Sequence, residues 1–236
     1  MQIIPIHTPR LNLNENLNDH LVEALFTSEL SLLENDILVI SSKIVSFAEG
    51  RVVEVKNNIE FEELVKRESE KYFKGSVVDL SYKFGLWIAN AGIDKSNVES
   101  GKVVLWPINP QESADSIRSF LVKHFRLKNL GVILVDSICQ PGRRGVTGAA
   151  LAYSGIIGVT DERGKKDLYG NTLKITKANK ADMISAAANL LMGEANEAIP
   201  YCIVRQVEIE FLGKKVDSIA ELSMPLEDCI FNAIYK

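Results

Sequence analysis

Cysteine and histidine are scarce in this chain, with three of each among its 236 residues. The cysteines form no CxxC pair and stand far apart, at Cys139, Cys202 and Cys229. This spacing indicates neither a disulfide framework nor a zinc site, and it is typical of a reducing cytoplasm. The histidines are equally scattered, at His7, His20 and His124. Any bound metal is therefore expected to be a hard, oxygen-liganded ion such as Mg²⁺ or Mn²⁺.

Long apolar runs and an excess of positive charge are also missing. No run of about 18 apolar residues is present, so we expect no membrane-spanning segment. The N-terminal MQIIP lacks the basic and apolar regions of a signal peptide, which again favours a cytoplasmic location. The formal net charge of −4 argues against a nucleic-acid partner. A chain of this length can bury one large core or two moderate ones.

The common nucleotide-binding and hydrolase motifs are absent as well, including GxxxxGK(S/T), GxGxxG and GxSxG. A bound nucleotide would therefore need a less common, non-Walker site. Asn109 followed by Pro110 predicts the start of a helix that runs to about Leu127. Predicted helices and strands follow one another without a regular βαβ rhythm. This order favours an α+β fold of irregular mixed sheets with flanking helices over a doubly wound sheet.

The most informative stretch that is present covers residues 132–157. A short apolar run of β-branched residues predicts a buried strand that ends at Asp136 and Ser137. A Pro-Gly break follows, then Arg143 and Arg144, then a loop with glycines. A carboxylate, a hydroxyl and paired guanidinium groups are the components of a site for metal-bound phosphate. The alternative is a strand that ends in a solvated turn with surface arginines, and these residues alone do not decide between the two.

Three other charged residues stand next to predicted elements. Lys43 directly follows a predicted buried strand, where it could reach a phosphate or simply be solvated. Asp94 lies in a loop of small and polar residues that is also typical of an Asx turn. Glu194 follows a predicted helix over residues 180–192 that Gly193 ends. Because the helix dipole disfavours an anion there, the alternatives for Glu194 are a nearby cation or plain exposure.

Several short motifs occur in a fixed order along the chain. They are SKIVS at 42–46, AEG at 48–50, NAGIDKSN at 90–97, Asp136-Ser137 with Pro141 and Arg143, and MGEA at 192–195. Together they resemble the coenzyme F420-0:L-glutamate ligase family, and the resemblance extends from Ile4 to Arg205. It implies one unit over residues 1–236, with two intertwined lobes around a cleft, a non-Walker nucleotide site and a homodimer. The implied reaction joins L-glutamate to an acceptor carboxylate, using GTP and two Mg²⁺ or Mn²⁺ ions, with K⁺ as an additional candidate ion.

The resemblance also implies a set of site residues. The ligands of one metal ion are Asp94 and Asp136, and those of the other are Ser137 and Glu194. The nucleotide contacts are Ser42, Lys43, Asn97 and the backbone around Met192 and Gly193.

The residues fit the chemistry that such a reaction requires. Forming an amide in water requires an activated carboxylate, normally an acyl phosphate. Two metals held by carboxylates can bridge and neutralise the γ-phosphoryl group. Arg143 and Arg144 could clamp that group or a phosphate of the acceptor by charge-assisted bonds. No protein nucleophile is needed.

The sequence also departs from the family at several positions. Phe47 stands where many members have a lysine, residues 139–142 (CQPG) replace Gly-Arg-Pro-Trp, and residues 82–85 (YKFG) replace a histidine-bearing stretch. Ser137 replaces threonine but keeps the hydroxyl. The metal ligands are retained while the acceptor lining is changed, which suggests a changed acceptor, with folate as the first candidate. A second alternative is a nucleotide-binding relative without turnover. The sequence does not identify the acceptor, the nucleotide (GTP or ATP), the number of glutamates added or the dimer interface.

Overall fold

The computed structural model describes residues 1–234. The strands are β1 (Gln2–Ile6), β2 (Asp36–Ser41), β3 (Val52–Glu54), β4 (Lys71–Phe73), β5 (Leu80–Lys83), β6 (Leu86–Ala89), β7 (Lys102–Val104), β8 (Leu130–Cys139), β9 (Val146–Ser154), β10 (Val159–Asp161), β11 (Lys177–Asn179) and β12 (Tyr201–Arg205). The helices are α1 (Leu17–Thr27), α2 (Ser42–Ala48), α3 (Asn58–Glu68), α4 (Pro110–Phe125), α5 (Lys180–Met192) and α6 (Ser218–Leu222). In this part of the chain, no helix has both the length and the apolar character that a bilayer crossing requires.

A five-stranded mixed sheet forms the centre of the molecule, in the order β1-β12-β2-β8-β9. Strands β2 and β8 run parallel, with Ser41 opposite Val135, and the other neighbours are antiparallel. Parallel strands end at the same edge of a sheet. The start of α2 at Ser42 therefore lies beside Asp136, although the two residues are far apart in sequence.

Both faces of the central sheet are buried. In β2, Leu38 and Ile40 pack against α1 and α4 on one face, while Ile37 and Val39 pack toward α5 on the other. Side chains alternate between the two faces of a strand, so an uninterrupted apolar run is what a strand covered on both sides requires. The prediction that β2 and the apolar part of β8 are buried strands is confirmed.

Residues 51–106 form a smaller lobe that is inserted between α2 and α4. It contains the two-stranded sheet β3-β7, the three-stranded sheet β4-β5-β6 and the helix α3. Its own apolar cluster includes Leu64, Val65 and Leu105. Trp106 and Ile88 pack with Leu151 of β9, and this apolar contact joins the small lobe to the central sheet. The mixed sheets and flanking helices confirm the predicted α+β class.

Helix ends that depend on local signals are placed as the sequence predicts. Asn109 caps α4 by accepting a hydrogen bond from the Glu112 amide at 3.1 Å, and Pro110 is the first helical residue. Gly193 ends α5 with a φ of 75°, a conformation that favours glycine.

The predicted end of the central strand at Ser137 is wrong. Strand β8 continues to Cys139, and the predicted loop with glycines is instead strand β9, which begins at Val146. Ser137 pairs with Gly148 and Cys139 pairs with Val146. Backbone pairing with β9 therefore continues β8 beyond Asp136 and Ser137. The Pro-Gly pair forms the turn of a hairpin at residues 140–145, and Asp136 and Ser137 lie inside the strand.

Candidate active site

A cleft of about 470 Å³ opens where β2 and β8 end, between the small lobe and the segment after α5. Its size is typical of a small-molecule site. Its lining includes the four residues implied as metal ligands and four of those implied as nucleotide contacts, which are Asp94, Asp136, Ser137, Glu194, Lys43, Asn97, Met192 and Gly193. Residues from four distant segments of the sequence are thus brought to one place.

Asp136 is held by fixed hydrogen-bond donors. Its Oδ2 accepts from the indole Nε1 of Trp106, and its Oδ1 accepts from the Ser137 amide at 2.8 Å. Burial raises the pKa of Asp136 above its ordinary value, although bonds from Trp106, Ser137 and the Ser42 hydroxyl oppose that shift. Ser42 thus contacts Asp136, but it is buried and is not among the residues that line the cleft, so its role as a nucleotide contact stays a prediction.

Asp94 and Lys43 form an ion pair across the cleft. Lys43 also donates to Ser96 Oγ at 2.9 Å, and the Ser96 amide donates to Asp94 Oδ1 at 2.7 Å. Burial would raise the pKa of Asp94, but the bonds from Lys43 and Ser96 outweigh it and the pKa is lowered. The predicted Asx turn is present, and it presents the Asp94 carboxylate to Lys43. The role of Asp94 as a metal ligand stays a prediction.

Glu194 is held by hydrogen bonds. Ser137 Oγ lies 2.7 and 2.9 Å from its two carboxylate oxygens, and Asn189 Nδ2 donates to it at 2.7 Å. Asn189 projects from the last turn of α5, three residues before the MGEA motif. The sequence does not identify it, because a single asparagine within a helix is not by itself a signal of a site residue. Glu197 is a further carboxylate that lines the cleft, and it accepts from the Ala195 amide at 2.8 Å.

Asn97 connects the two loops that face each other across the cleft. Its Nδ2 donates to the Ala195 carbonyl at 2.8 Å, so the side chain links the small lobe to the segment after α5. Met192 is buried beneath that segment, and the positive φ of Gly193 turns the chain out of α5 toward the cleft.

Arg143 and Arg144 lie outside the cleft. Both are exposed on the hairpin turn at residues 140–145, where the Arg143 amide donates to the Gln140 carbonyl at 3.1 Å. The structure does not bring their guanidinium groups to the carboxylates. Their position is that of surface arginines on a turn, and their role as a phosphate clamp stays a prediction.

The oxygen donors of the cleft suit a hard divalent ion. Among residues 1–234, no three His, Cys, Asp or Glu side chains gather closely enough to hold a metal by themselves. Mg²⁺ is often bound by one or two carboxylates, with water and substrate phosphates completing the shell. The contact between Ser137 Oγ and Glu194 and the neighbouring Asp136 provide oxygens of that kind, so the residues present fit the ion.

The fold and the cleft define the class of this protein: a mixed α+β protein with a non-Walker cleft lined by carboxylates, a lysine and hydroxyls. Comparison with known proteins narrows the class to one family. The sequence model described as F420-0:Gamma-glutamyl ligase matches residues 5–206, and the chain belongs to that family.

Individual relatives agree with this assignment. The coenzyme F420:L-glutamate ligase of Archaeoglobus fulgidus is 36% identical over 81% of this chain and 83% of its own length. The protein of the same name from Methanocaldococcus jannaschii is 32% identical over 98% of this chain and 96% of its own. The family resemblance predicted from the motifs is confirmed.

Proposed function

We propose that this chain is a ligase that forms an amide between the amino group of L-glutamate and a carboxylate of a larger acceptor. The observation that carries the proposal is the convergence of Asp94, Asp136, Ser137 and Glu194 on one cleft. The chain belongs to a family described as gamma-glutamyl ligases, and its relatives are named glutamate ligases.

The proposed reaction passes through an acyl phosphate. A carboxylate oxygen of the acceptor attacks the γ-phosphorus of GTP, the bond to the bridging oxygen breaks, and GDP leaves. The amine of glutamate then attacks the acyl carbon and loses a proton, and inorganic phosphate leaves with the bonding electrons. Both steps concentrate negative charge on oxygen, so fixed electrostatic groups supply most of the acceleration.

The cleft residues have distinct parts in this proposal. Lys43 would place its ammonium on the nucleotide phosphates, because it stands at the start of α2 on the cleft edge. Asp94, Asp136, Ser137 and Glu194 would hold two divalent ions, Mg²⁺ or Mn²⁺. Such ions, when bound, neutralise the charge of the transferring phosphoryl group.

The names of the relatives favour F420-0 as the acceptor. One observation supports a different one: Phe47 and Cys139, both at positions that depart from the family, line the cleft. A cleft that keeps the implied metal ligands while its other lining residues change would favour a changed acceptor. We therefore keep a folate as the second candidate acceptor.

The test is to incubate the purified protein with Mn²⁺, L-glutamate, either GTP or ATP, and each acceptor in turn. The expected result is an acceptor heavier by one or more glutamyl residues, with one phosphate released for each addition. The matched control is Glu194→Gln, which keeps the size of the side chain and removes its charge. Transfer to F420-0 but never to a folate would eliminate the folate alternative.

A binding-only protein would give a different result. Calorimetry would then show uptake of nucleotide and metal, while no acceptor would lead to phosphate release. That outcome would overturn the ligase proposal and leave a nucleotide-binding relative.

We also propose that the chain forms a homodimer, as the family resemblance implies. The expected molar mass from light scattering is twice that of one chain. A mass equal to one chain, at concentrations where the protein is active, would refute the dimer.

A further inference from the structure

Trp106 contacts the site from behind. It follows β7, its side chain is only 2% exposed, and its indole Nε1 donates to Asp136 Oδ2. Trp106 is not among the residues that line the cleft. The indole Nε1, the only polar atom of this side chain, thus donates its hydrogen bond to Asp136, which the proposed function requires as a metal ligand.

The indole plane of Trp106 is fixed on several sides. A Cβ at residue 92 would lie 2.2 Å from the indole Cε2, so Gly92 lets the backbone pack directly against the ring. Phe84 stacks on the indole with ring centroids 6.2 Å apart and an interplanar angle of 16°. Arg51 Nε donates to the Trp106 carbonyl at 3.0 Å. A ring held in this way points its N–H in one direction.

Behind the ring lies a charged cluster of the small lobe. Glu68 accepts from Arg51 and from Lys83, each at 2.8 Å, and Lys83 Nζ lies 5.9 Å from the Trp106 ring centroid. The small lobe thus holds the indole, and the indole holds a carboxylate of the central sheet.

We propose that Trp106 is a positioning residue, whose indole N–H fixes the carboxylate of Asp136 in the orientation that binds a divalent ion. This inference rests on the proposed function in one respect, namely that Asp136 is a metal ligand. Groups that hydrogen-bond to a metal ligand typically contribute about 10- to 100-fold to metal affinity. Since one carboxylate oxygen is already bonded to Trp106 and the other to the Ser137 amide, Asp136 meets an ion without reorienting.

The first experiment observes the indole directly. The chain has two tryptophans, Trp87 and Trp106, so ¹⁵N-indole labelling gives two N–H signals, and Trp87→Phe identifies which is which. Titration with Mg²⁺ in the presence of a non-hydrolysable GTP analogue should shift the Trp106 signal and leave the Trp87 signal in place. A Trp106 signal that does not move while the ion binds would overturn the inference.

The second experiment measures affinity for Mn²⁺, from the free-ion electron paramagnetic resonance signal, with the same analogue. In a Trp87→Phe background, Trp106 is replaced by benzothienylalanine, which keeps the ring size and substitutes sulfur for the N–H. The expected result is a roughly 10- to 100-fold weaker Mn²⁺ affinity with the melting temperature little changed. Trp106→Phe should give the same loss, and Trp87→Phe alone should bind Mn²⁺ like the unaltered protein.

The outcomes separate the two proposals. If the unaltered protein binds Mn²⁺ and the benzothienylalanine variant binds it equally well, the positioning role of Trp106 is refuted while the proposed function stands. If the unaltered protein does not bind the ion at all, the metal part of the proposed function fails, and the role of Trp106 fails with it.

Discussion

At the level of single residues, the cleft side chains hold one another before any ligand arrives. Ser137 and Asn189 both donate to Glu194, and Ser96 and Lys43 both hold Asp94. A carboxylate that is already fixed loses less conformational freedom when it binds a ligand. The arrangement is therefore suited to tight binding of a small, highly charged group.

Replacing either carboxylate that flanks Ser137 should abolish metal-dependent nucleotide binding. In Asp136→Ala or Glu194→Ala the ion loses a charged oxygen ligand, and calorimetry with Mn²⁺ and GTP should detect no binding. The matched control is Glu23→Ala, which removes an exposed carboxylate of α1. Normal GTP binding by both cleft variants would show that the site is assigned wrongly.

Asn189→Ala should weaken Mn²⁺ affinity about 10-fold, with a smaller effect on GTP affinity in the absence of metal. The substitution removes the amide that donates to Glu194 at 2.7 Å but leaves the carboxylate itself in place. Asn58→Ala, at an exposed position in α3, is the control. Equal Mn²⁺ affinity in the Asn189 variant and the unaltered protein would contradict a holding role for Asn189.

The carboxylates of the site could be identified from the sequence, whereas their supporting partners could not. Asp94, Asp136 and Glu194 stand in motifs with a known family order. Trp106 acts through a contact with a residue 30 positions away, and such a pairing leaves no local pattern. Asn189 lies only five residues before Glu194, but a single asparagine within a helix has no sequence pattern that marks it as a partner of that carboxylate. The exposed position of Arg143 and Arg144 agrees with the alternative of surface arginines on a turn, whereas the hairpin that carries them was not predicted.

At the level of elements, helix ends were predictable because their signals are local. An Asn cap and a Pro in the first turn of α4, or a Gly after α5, act within a few residues. The hairpin of β8 and β9 was missed because the Pro-Gly pair was interpreted as the end of the ordered segment.

Close packing between β9 and α5 should make Gly148 sensitive to any side chain. In Gly148→Ala, the new Cβ would lie 2.6 Å from the Ser185 carbonyl oxygen and 2.7 Å from Asn189 Cβ. Forcing α5 away from the sheet should cost about 1–3 kcal/mol of unfolding free energy. Urea denaturation measures this loss. Gly213→Ala, where a Cβ would meet nothing within 4 Å, should be close to neutral.

At the level of the whole molecule, the order of strands in the central sheet brings the ends of distant segments to one cleft. No sequence pattern predicted that strand order. The parallel pairing of β2 and β8 depends on long-range contacts. The α+β class could be predicted from the absence of a βαβ rhythm, but the insertion of residues 51–106 as a separate lobe could not. Its strands are short, and short strands give weak periodic signals.

The charged cluster of Glu68, Arg51 and Lys83 in the small lobe should make stability depend on pH. Burial tends to raise the pKa of Glu68, but Lys83 and Arg51 outweigh burial and hold the pKa below 4.5. A carboxyl with a lowered pKa in the folded state contributes stability above its unfolded pKa. That contribution is lost as the pH falls below about 4.5 toward the folded value.

Glu68→Gln tests this pH dependence. At neutral pH it leaves Lys83 buried without its counter-charge, which should cost about 3 kcal/mol. The difference in melting temperature between the variant and the unaltered protein should narrow as the pH is lowered through about 4. A difference that stays constant over that range would show that the ionised Glu68 does not provide the stability.

The hydrogen bond between Asn97 and the Ala195 carbonyl has a consequence for the order in which substrates bind. If Asn97 contacts the nucleotide through the N–H that bonds to Ala195, as the family resemblance implies for this residue, that bond breaks and the segment after α5 loses one link to the small lobe. Nucleotide would then bind first, and glutamate and its acceptor would follow into a wider opening. Product-inhibition patterns in steady-state kinetics would be those of an ordered mechanism with GTP as the first substrate.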